Sequence, residues 1–181
     1  KKLLLILLCL PMIGFGQEKE CGTSLTKEQS NYLAKKRLLR NNWVKQKTIL
    51  NIPIQHHIVR LDDGFTTLNQ NHIDDIMNTV NNYYINSDIQ FYNCDSINYI
   101  DDSNFYDFNG NYESTLCETY DITNVINIYY FNNVQTSGGT FACGYAYFPP
   151  SVDRIIMKNS CAINGSTIVH ELGHYLSLYH T

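Results

Sequence analysis

Apolar and polar residues alternate along the chain in segments that predict a mixed α/β domain. The stretch "IPIQHHIVRL" alternates with the period of a strand, and residues 67–85 carry an apolar stripe at helical spacing. Four shorter apolar runs are bounded by turn residues and predict further strands. These runs lie at residues 88–93, 124–131, 140–148 and 154–158.

The remaining segments complete this order of elements. Residues 94–120 are polar and aromatic and predict a long loop, and the chain ends in a helix with Ser166 as its cap. Near the start, residues 26–47 predict another helix, in which Thr26 and Gln29 have the spacing of a capping box. The main domain therefore reads strand, helix, strand, loop, three strands, helix, which is an α+β arrangement.

The N-terminal stretch "KKLLLILLCLPMIGFGQ" has the pattern of a secretory signal, with a basic start, a short apolar run and small residues before a cleavage point. Its apolar run is shorter than the roughly 20 residues that a membrane-spanning helix needs. We expect residues 1–16 to be removed and the mature protein to be secreted, extracellular and free of the membrane. Residues 17–50 include the basic run "KKRLLR", which is either a solvated helix face or part of a protease-sensitive pro-segment. Residues 51–181 form the main domain.

Composition and charge narrow the classes of function. The 181 residues, 44% of them hydrophobic, suit one domain with a core, and a net charge of −4 argues against a nucleic-acid surface. No feature indicates an oligomeric state. In an exported protein, cysteines are expected to form disulfides. Beyond Cys9 of the signal, we expect Cys94 to pair with Cys117 and Cys143 with Cys161, because each pair joins neighbouring segments.

The last twelve residues, "HELGHYLSLYHT", predict a metal site. His170 and His174 are four apart on a helix, so both imidazoles can reach one zinc ion. Glu171 lies beside them, where it can accept a proton from a zinc-bound water. His180 completes the site only if the chain turns between residues 176 and 179. A purely structural zinc site is the weaker interpretation, because such sites close with a fourth protein ligand and have no use for the glutamate.

This motif, with the preceding "GGTFACGYAYFPPSVDRIIMKNS", resembles the zinc-binding region of metzincin metalloendopeptidases, and of the pappalysin (cytophagalysin) family in particular. The resemblance covers residues 52–181. It implies a zincin/metzincin-like fold, in which a twisted mixed β-sheet, a backing helix and an active-site helix border a cleft. It also implies one Zn²⁺ per chain held by His170, His174 and His180, with Glu171 as the general base in peptide hydrolysis.

The resemblance further assigns the strand with Gly144, Tyr145 and Ala146 to the upper rim of the cleft, where an extended peptide or protein substrate can pair. Some metzincin precursors are kept latent by a cysteine bound to the zinc. Cys21, the odd cysteine of the mature chain, is therefore either a latency switch or the partner of a cysteine further along the chain.

Two departures from the family pattern leave an alternative open. Ser177 stands where the family normally has glycine, at the turn before the third histidine. The lower subdomain with its methionine turn is not in the sequence, so we expect a longer chain of which residues 51–181 hold the upper subdomain. The alternative function is a catalytically impaired zincin-fold binding or structural module.

Other polar clusters give weaker signals. His56 and His57 are adjacent on a strand and point to opposite faces, which predicts packed histidines rather than a shared metal. Asp62-Asp63-Gly64 and Asp101-Asp102 could bind Ca²⁺, but their spacing matches no calcium loop.

Overall fold

The computed structural model describes residues 21–39 and 48–180, and a six-stranded sheet forms its centre. The predicted signal peptide, residues 1–16, lies outside these ranges. The strands are β1 (Leu50–Arg60), β2 (Ile89–Asn93), β3 (Asn98–Asp101), β4 (Asp107–Asn109), β5 (Ile126–Phe131), β6 (Asn133–Gln135), β7 (Gly144–Ala146) and β8 (Arg154–Lys158). The helices are α1 (Lys27–Leu39), α2 (Gln70–Tyr84), α3 (Glu113–Tyr120), α4 (Asn159–Ala162) and α5 (Ser166–Tyr175).

The order of strands across the sheet is β2-β1-β5-β8-β7. β3 also pairs with β1, on the same side of β1 as β2. All neighbours in it run parallel except β7, which is antiparallel to β8. The central strand β5 is buried along its whole length. Strands covered on both faces are expected to be apolar throughout, as "INIYYF" largely is. β7 forms one edge of the sheet.

Helices cover one face of the sheet, where α2 and α5 pack against the larger apolar core. Tyr84 at the end of α2 donates a hydrogen bond to the carbonyl of Val169 on α5, at 3.0 Å. Gly165, just before α5, has a φ of 72°, and a Cβ there would lie 2.7 Å from Thr79 on α2. Glycine at this position thus lets the start of α5 approach α2 closely.

The second face of the sheet carries a smaller core that includes α3. Here the predicted long loop at 94–120 is wrong, because this segment forms β3, β4 and α3. Its inward-facing apolar residues, Ile100, Phe108 and Leu116, are widely spaced among exposed polar ones, so no periodic pattern marks them. The prediction also lacked β6, which pairs with β4 in a separate two-stranded sheet.

The predicted helix ends are only partly correct. α1 covers residues 27–39, and the rest of the predicted helix, 40–47, lies outside the described residues. The prediction of Ser166 as a cap is wrong, because the N-cap is Gly165. Asn164 serves this end instead, since its Oδ1 accepts a hydrogen bond from the Thr167 N–H at 3.1 Å.

One of the two predicted disulfides is present and the other is not. Cys143 and Cys161 are bonded, with their Cα atoms 5.4 Å apart, and so tie the start of β7 to α4. The predicted pair of Cys94 and Cys117 is wrong, because Cys94 is exposed after β2 while Cys117 is buried on α3. The unpredicted helix carries Cys117 into the core, where burial raises the pKa of its thiol.

The other polar clusters serve the fold. His56 lies 2.9 Å from the Tyr130 hydroxyl, whereas His57 stacks on Tyr129 with ring centroids 4.3 Å apart, which confirms that they face opposite sides. Among the acidic residues considered for Ca²⁺, Asp101 lies at the end of β3 and forms an ion pair with Arg60 at 2.6 Å.

These features confirm the predicted fold class, a mixed sheet with helices packed on it, in which α2 is the predicted backing helix and α5 carries the histidine motif. Within the described ranges, no helix combines the length and apolar character needed to cross a membrane.

Candidate active site

Three histidine side chains converge at the end of α5. His170 and His174 lie one turn apart on the helix, and His180 returns to them after the helix ends. The Nε2 atoms of the three imidazoles form a triangle in which each pair is 3.0 Å apart. The structure thus brings together all three histidines that the motif predicted as ligands.

The triangle has the dimensions of a metal site. A ring nitrogen offers either one N–H or one lone pair, so three mutual contacts at 3.0 Å cannot all be hydrogen bonds. Around a tetrahedral zinc ion with bonds of about 2.0–2.1 Å, ligand nitrogens lie about 3.3 Å apart. The residues present therefore fit a zinc ion, which would satisfy all three nitrogens at once.

The turn after α5 also orients one of the candidate ligands. Nδ1 of His174 lies 2.8 Å from the carbonyl oxygen of Leu178. Because a carbonyl can only accept, Nδ1 carries the proton and Nε2 presents its lone pair to the centre of the triangle. Burial lowers the pKa of His174, which favours the neutral imidazole that binds metals.

The chain turns at Ser177, within the predicted interval, and has a left-handed φ of 75° there. The Ser177 N–H donates to the carbonyl of His174 and the Leu178 N–H to that of Gly173, both at 2.8 Å. This pair of bonds is a Schellman motif, in which glycine is usual. A serine adopts the same conformation at a cost of about 1–2 kcal/mol. The departure from glycine therefore leaves the turn intact.

Glu171 follows His170 on α5 and is fully buried. Its Oε1 has no hydrogen-bond partner among the described residues. Burial raises the pKa of Glu171 to about 7, although hydrogen bonds from Cys21 and Thr23 oppose the shift. A buried carboxylate with an unsatisfied oxygen is costly to fold and is typical of functional sites.

Cys21 joins this group from the other end of the described chain. Its Sγ and the three imidazole nitrogens all lie within 4.8 Å of one another, and Sγ is 3.6 Å from Oε2 of Glu171. Burial, and then the charge of Glu171, raise the pKa of the thiol to about 11. A divalent cation would reverse this shift, because a coordinating thiol is deprotonated.

The segment before α1 lies along the free edge of β7. The Gly22 N–H donates to the carbonyl of Gly144 at 2.6 Å, and the Ala146 N–H donates to Oγ1 of Thr23 at 2.8 Å. The same Thr23 hydroxyl is 2.9 Å from Oε2 of Glu171. One side chain thus contacts both the edge strand and the buried carboxylate.

The helix that follows, α1, continues along the same side of the domain. Gln29 donates to the carbonyl of Phe148 at 3.2 Å, and Leu33 is only 3% exposed. The guanidinium of Arg37 lies over the ring of Tyr179, 4.5 Å from its centroid. Residues 21–39 therefore cover the edge strand and reach the turn next to His180.

Of the three residues predicted to bind substrate, two present backbone groups at the edge of the sheet and one turns its side chain inward. Gly144 and Ala146 direct backbone groups to the edge that the N-terminal segment occupies. The Tyr145 side chain turns inward instead, and its hydroxyl donates to Glu113 at 2.6 Å.

Thr23 and Glu113 are not among the residues predicted from the sequence. Thr23 could have been found, since residues two apart on an extended chain share a side and Cys21 was already a candidate. Glu113 lay in the predicted loop and had no such signal.

Comparisons with known proteins give distant similarities. The chain matches no protein-family model and no curated protein. It is similar to the solved structure of archaemetzincin from Methanopyrus kandleri, at 12% identity and a TM-score of 0.48, over 77% of this chain and 79% of that one. It is also similar to metalloproteinase-II from Bacteroides fragilis, at 17% identity and a TM-score of 0.43, over 77% of this chain and 46% of that one.

Proposed function

We propose that the chain belongs to a secreted zinc-dependent metalloendopeptidase, made as a latent precursor. The observation that carries the proposal is the triangle of Nε2 atoms of His170, His174 and His180, 3.0 Å apart, beside the buried Glu171. The terminal motif favours the pappalysin type of metzincin. The signal-like N-terminus and the disulfide between Cys143 and Cys161 support secretion.

The three imidazoles would hold the ion. When bound, zinc would supply a Lewis acid that makes water more acidic and polarises a peptide carbonyl. The chain's own groups would prepare the site for that chemistry. The carbonyl of Leu178 holds the proton on Nδ1 of His174, so that its other nitrogen remains free to bind.

Glu171 would act as the general base. Its Oε2 lies 3.6 Å from Cys21 Sγ, so a water that replaced the thiol would stand next to the carboxylate. A carboxylate there can accept a proton from the attacking water and pass it to the leaving amine. A zinc ion held by the three histidines would favour the ionised form of this carboxylate, which is the form that accepts a proton.

The edge of β7 would hold the substrate. The carbonyl of Gly144 and the N–H of Ala146 already pair with the N-terminal segment, which is evidence that this edge accepts an extended chain. The Ala146 N–H is taken by the Thr23 side chain in the precursor. The backbone of a peptide bound in the same place would pair with the Gly144 carbonyl and the Ala146 N–H, close to Glu171.

Residues 21–39 would keep the precursor latent by occupying that place. Cys21 is poised as a fourth ligand, which would exclude water from the ion. Thr23 adds a second block, because its hydroxyl engages Glu171 Oε2 and the Ala146 N–H together. Cleavage within the basic run at residues 35–40 would release both contacts.

The test uses the full-length precursor, activated by cleavage in that basic run. Glu171→Gln should keep its zinc, measured as bound metal per chain, and lose peptide hydrolysis by about 10²–10⁴-fold, the usual contribution of a general base. His174→Ala should lose the zinc itself. Glu118→Gln, an exposed change on α3, is the control and should match the wild type.

Two results would contradict the proposal. Near wild-type hydrolysis by Glu171→Gln would refute the role of the carboxylate. A protein that binds zinc in the three histidines but cleaves no peptide after activation would instead be the impaired binding module.

A further inference from the structure

The third candidate ligand, His180, lies beyond the end of α5 and has little support from its own backbone. Among the described residues, the last backbone hydrogen bond of the turn is donated by Leu178, to the carbonyl of Gly173 at 2.8 Å. His180 itself is exposed, and its Nδ1 forms no hydrogen bond with the described part of the chain. Its position is therefore left to the residue before it, Tyr179.

The ring of Tyr179 contacts two other side chains. The guanidinium of Arg37 lies over the ring, 4.5 Å from its centroid, and the ring centroid of Phe148 is 5.6 Å away. Phe148 is buried and also packs on His174, with ring centroids 5.3 Å apart. A cation over an aromatic face and two tilted aromatic rings both attract each other. Tyr179 thus connects His180, the residue after it, to a buried ring that packs on a second ligand.

Both contacts of Tyr179 lead to α1. Arg37 lies in the last turn of this helix, and Gln29 in its first part donates a hydrogen bond to the carbonyl of Phe148 at 3.2 Å. Leu33, halfway between them, is buried. Residues four apart on a helix share a face, so Gln29, Leu33 and Arg37 form one side of α1. The helix places this side against the turn that carries His180.

We propose that Tyr179 is a positioning residue for the zinc ligand His180, and that Arg37 of α1 holds the Tyr179 ring in place. This assignment rests on the proposed zinc site but not on peptide hydrolysis. The docked helix would then strengthen zinc binding, and zinc would by the same amount favour the docked helix, because such coupling is reciprocal. Cleavage in the basic run at residues 35–40 would remove this support as well as Cys21.

The experiment measures the dissociation constant of Zn²⁺ from the full-length precursor, by competition with a chromophoric chelator. Arg37→Gln removes a positive charge at an exposed position, and Lys35→Gln, an exposed change on the same helix, is its matched control. Tyr179→Ala removes the ring, whereas Tyr179→Phe keeps it.

We expect Arg37→Gln to weaken zinc binding about two- to fivefold, which corresponds to an exposed contact between a cation and a ring. Tyr179→Ala should weaken it roughly five- to 50-fold, because the contact with Phe148 is lost as well. Tyr179→Phe and Lys35→Gln should match the wild type. Direct electrostatics would give Arg37→Gln the opposite sign, since removing a positive charge near a divalent cation strengthens the binding of that cation.

A His180→Ala background separates positioning from general damage to the fold. Cys21, His170 and His174 remain as ligands in it, so zinc binding can still be measured. Arg37→Gln and Tyr179→Ala should have no further effect there, because the ligand that they position is gone. An effect of undiminished size would show that they act through the fold or through the docking of Cys21, and would overturn the proposal.

Zinc binding by Arg37→Gln as tight as in the wild type, or tighter, would also overturn it, even if Tyr179→Ala fails to fold. That result would leave the proposed zinc site and the peptidase untouched. A wild-type precursor that binds no zinc would contradict both this inference and the proposed function. The expected affinities in a protein that cleaves no peptide after activation would instead retain the role of Tyr179 and contradict the peptidase.

Discussion

Thr23 offers a test of how the N-terminal segment is held on the active site. Replacing it with valine keeps the shape of the side chain and removes the hydroxyl. Two hydrogen bonds are then lost, from the Ala146 N–H at 2.8 Å and to the Glu171 carboxylate at 2.9 Å. The Ala146 N–H and the Glu171 carboxylate remain covered by the docked segment, so losing these two hydrogen bonds destabilises the docked state.

The expected magnitude follows from the type of each bond. A hydrogen bond between neutral groups contributes about 0.5–1.5 kcal/mol and one to a charged group about 1.5–3 kcal/mol. Since this site is only partly buried, we take the lower ends, a total of about 2 kcal/mol. Each 1.4 kcal/mol is a factor of about ten in an equilibrium, so the undocked population should rise about 30-fold.

The assay is alkylation of Cys21, whose thiol reacts when the segment undocks. Thr23→Val should speed the reaction about 30-fold in chelator, while Ser24→Ala, an exposed change one residue on, should leave it within twofold. A rate for Thr23→Val that equals the wild-type rate would show that the hydroxyl does not hold the segment.

Three further changes test the geometry around the site. Ser177→Gly should raise the free energy of unfolding, measured in urea titrations, by up to about 1.5 kcal/mol. Glycine adopts the φ of 75° without strain, and its greater loss of chain entropy on folding offsets part of the gain. A clear decrease in the free energy of unfolding would contradict this. Gly144→Ala should destabilise the fold by about 1–3 kcal/mol, because the new Cβ would lie 2.6 Å from Met157 Sδ; an unchanged melting temperature would contradict this. Burial lowers the pKa of His56 from 6.5 to about 4, so the stability it contributes is present above pH 6.5 and is lost as the pH falls toward 4. Unfolding measured at pH 7 and 4.5 should show this loss, and His56→Gln should reduce it by the part that His56 contributes; an unchanged loss would contradict this.

Local spacing explains why the candidate ligands could be predicted. Residues four apart on a helix must share a face, so His170 and His174 needed no knowledge of the tertiary fold. His180 required only a turn, and its place followed from the resemblance. The buried strand β5 could be predicted equally well, because a continuous apolar run of this length is typical of a strand covered on both faces.

Contacts between distant segments explain what could not be predicted. Thr23 and Glu171 are 148 residues apart, and the local sequence around neither residue predicts their hydrogen bond. The sequence predicts a loop at 94–120 because the strands β3 and β4 in this segment are short and each buries only one residue fully. The error in pairing Cys94 with Cys117 followed from it, since α3 determines where Cys117 lies.

The most direct measurement of the central claim is zinc K-edge X-ray absorption on the full-length precursor. We expect three nitrogen scatterers at about 2.0–2.1 Å and one sulfur at about 2.3 Å, from the three histidines and Cys21. In Cys21→Ala the sulfur should give way to oxygen or nitrogen while the three histidines remain. A precursor that takes up no zinc, or whose spectrum is unchanged in His174→Ala, would contradict the assignment of this site.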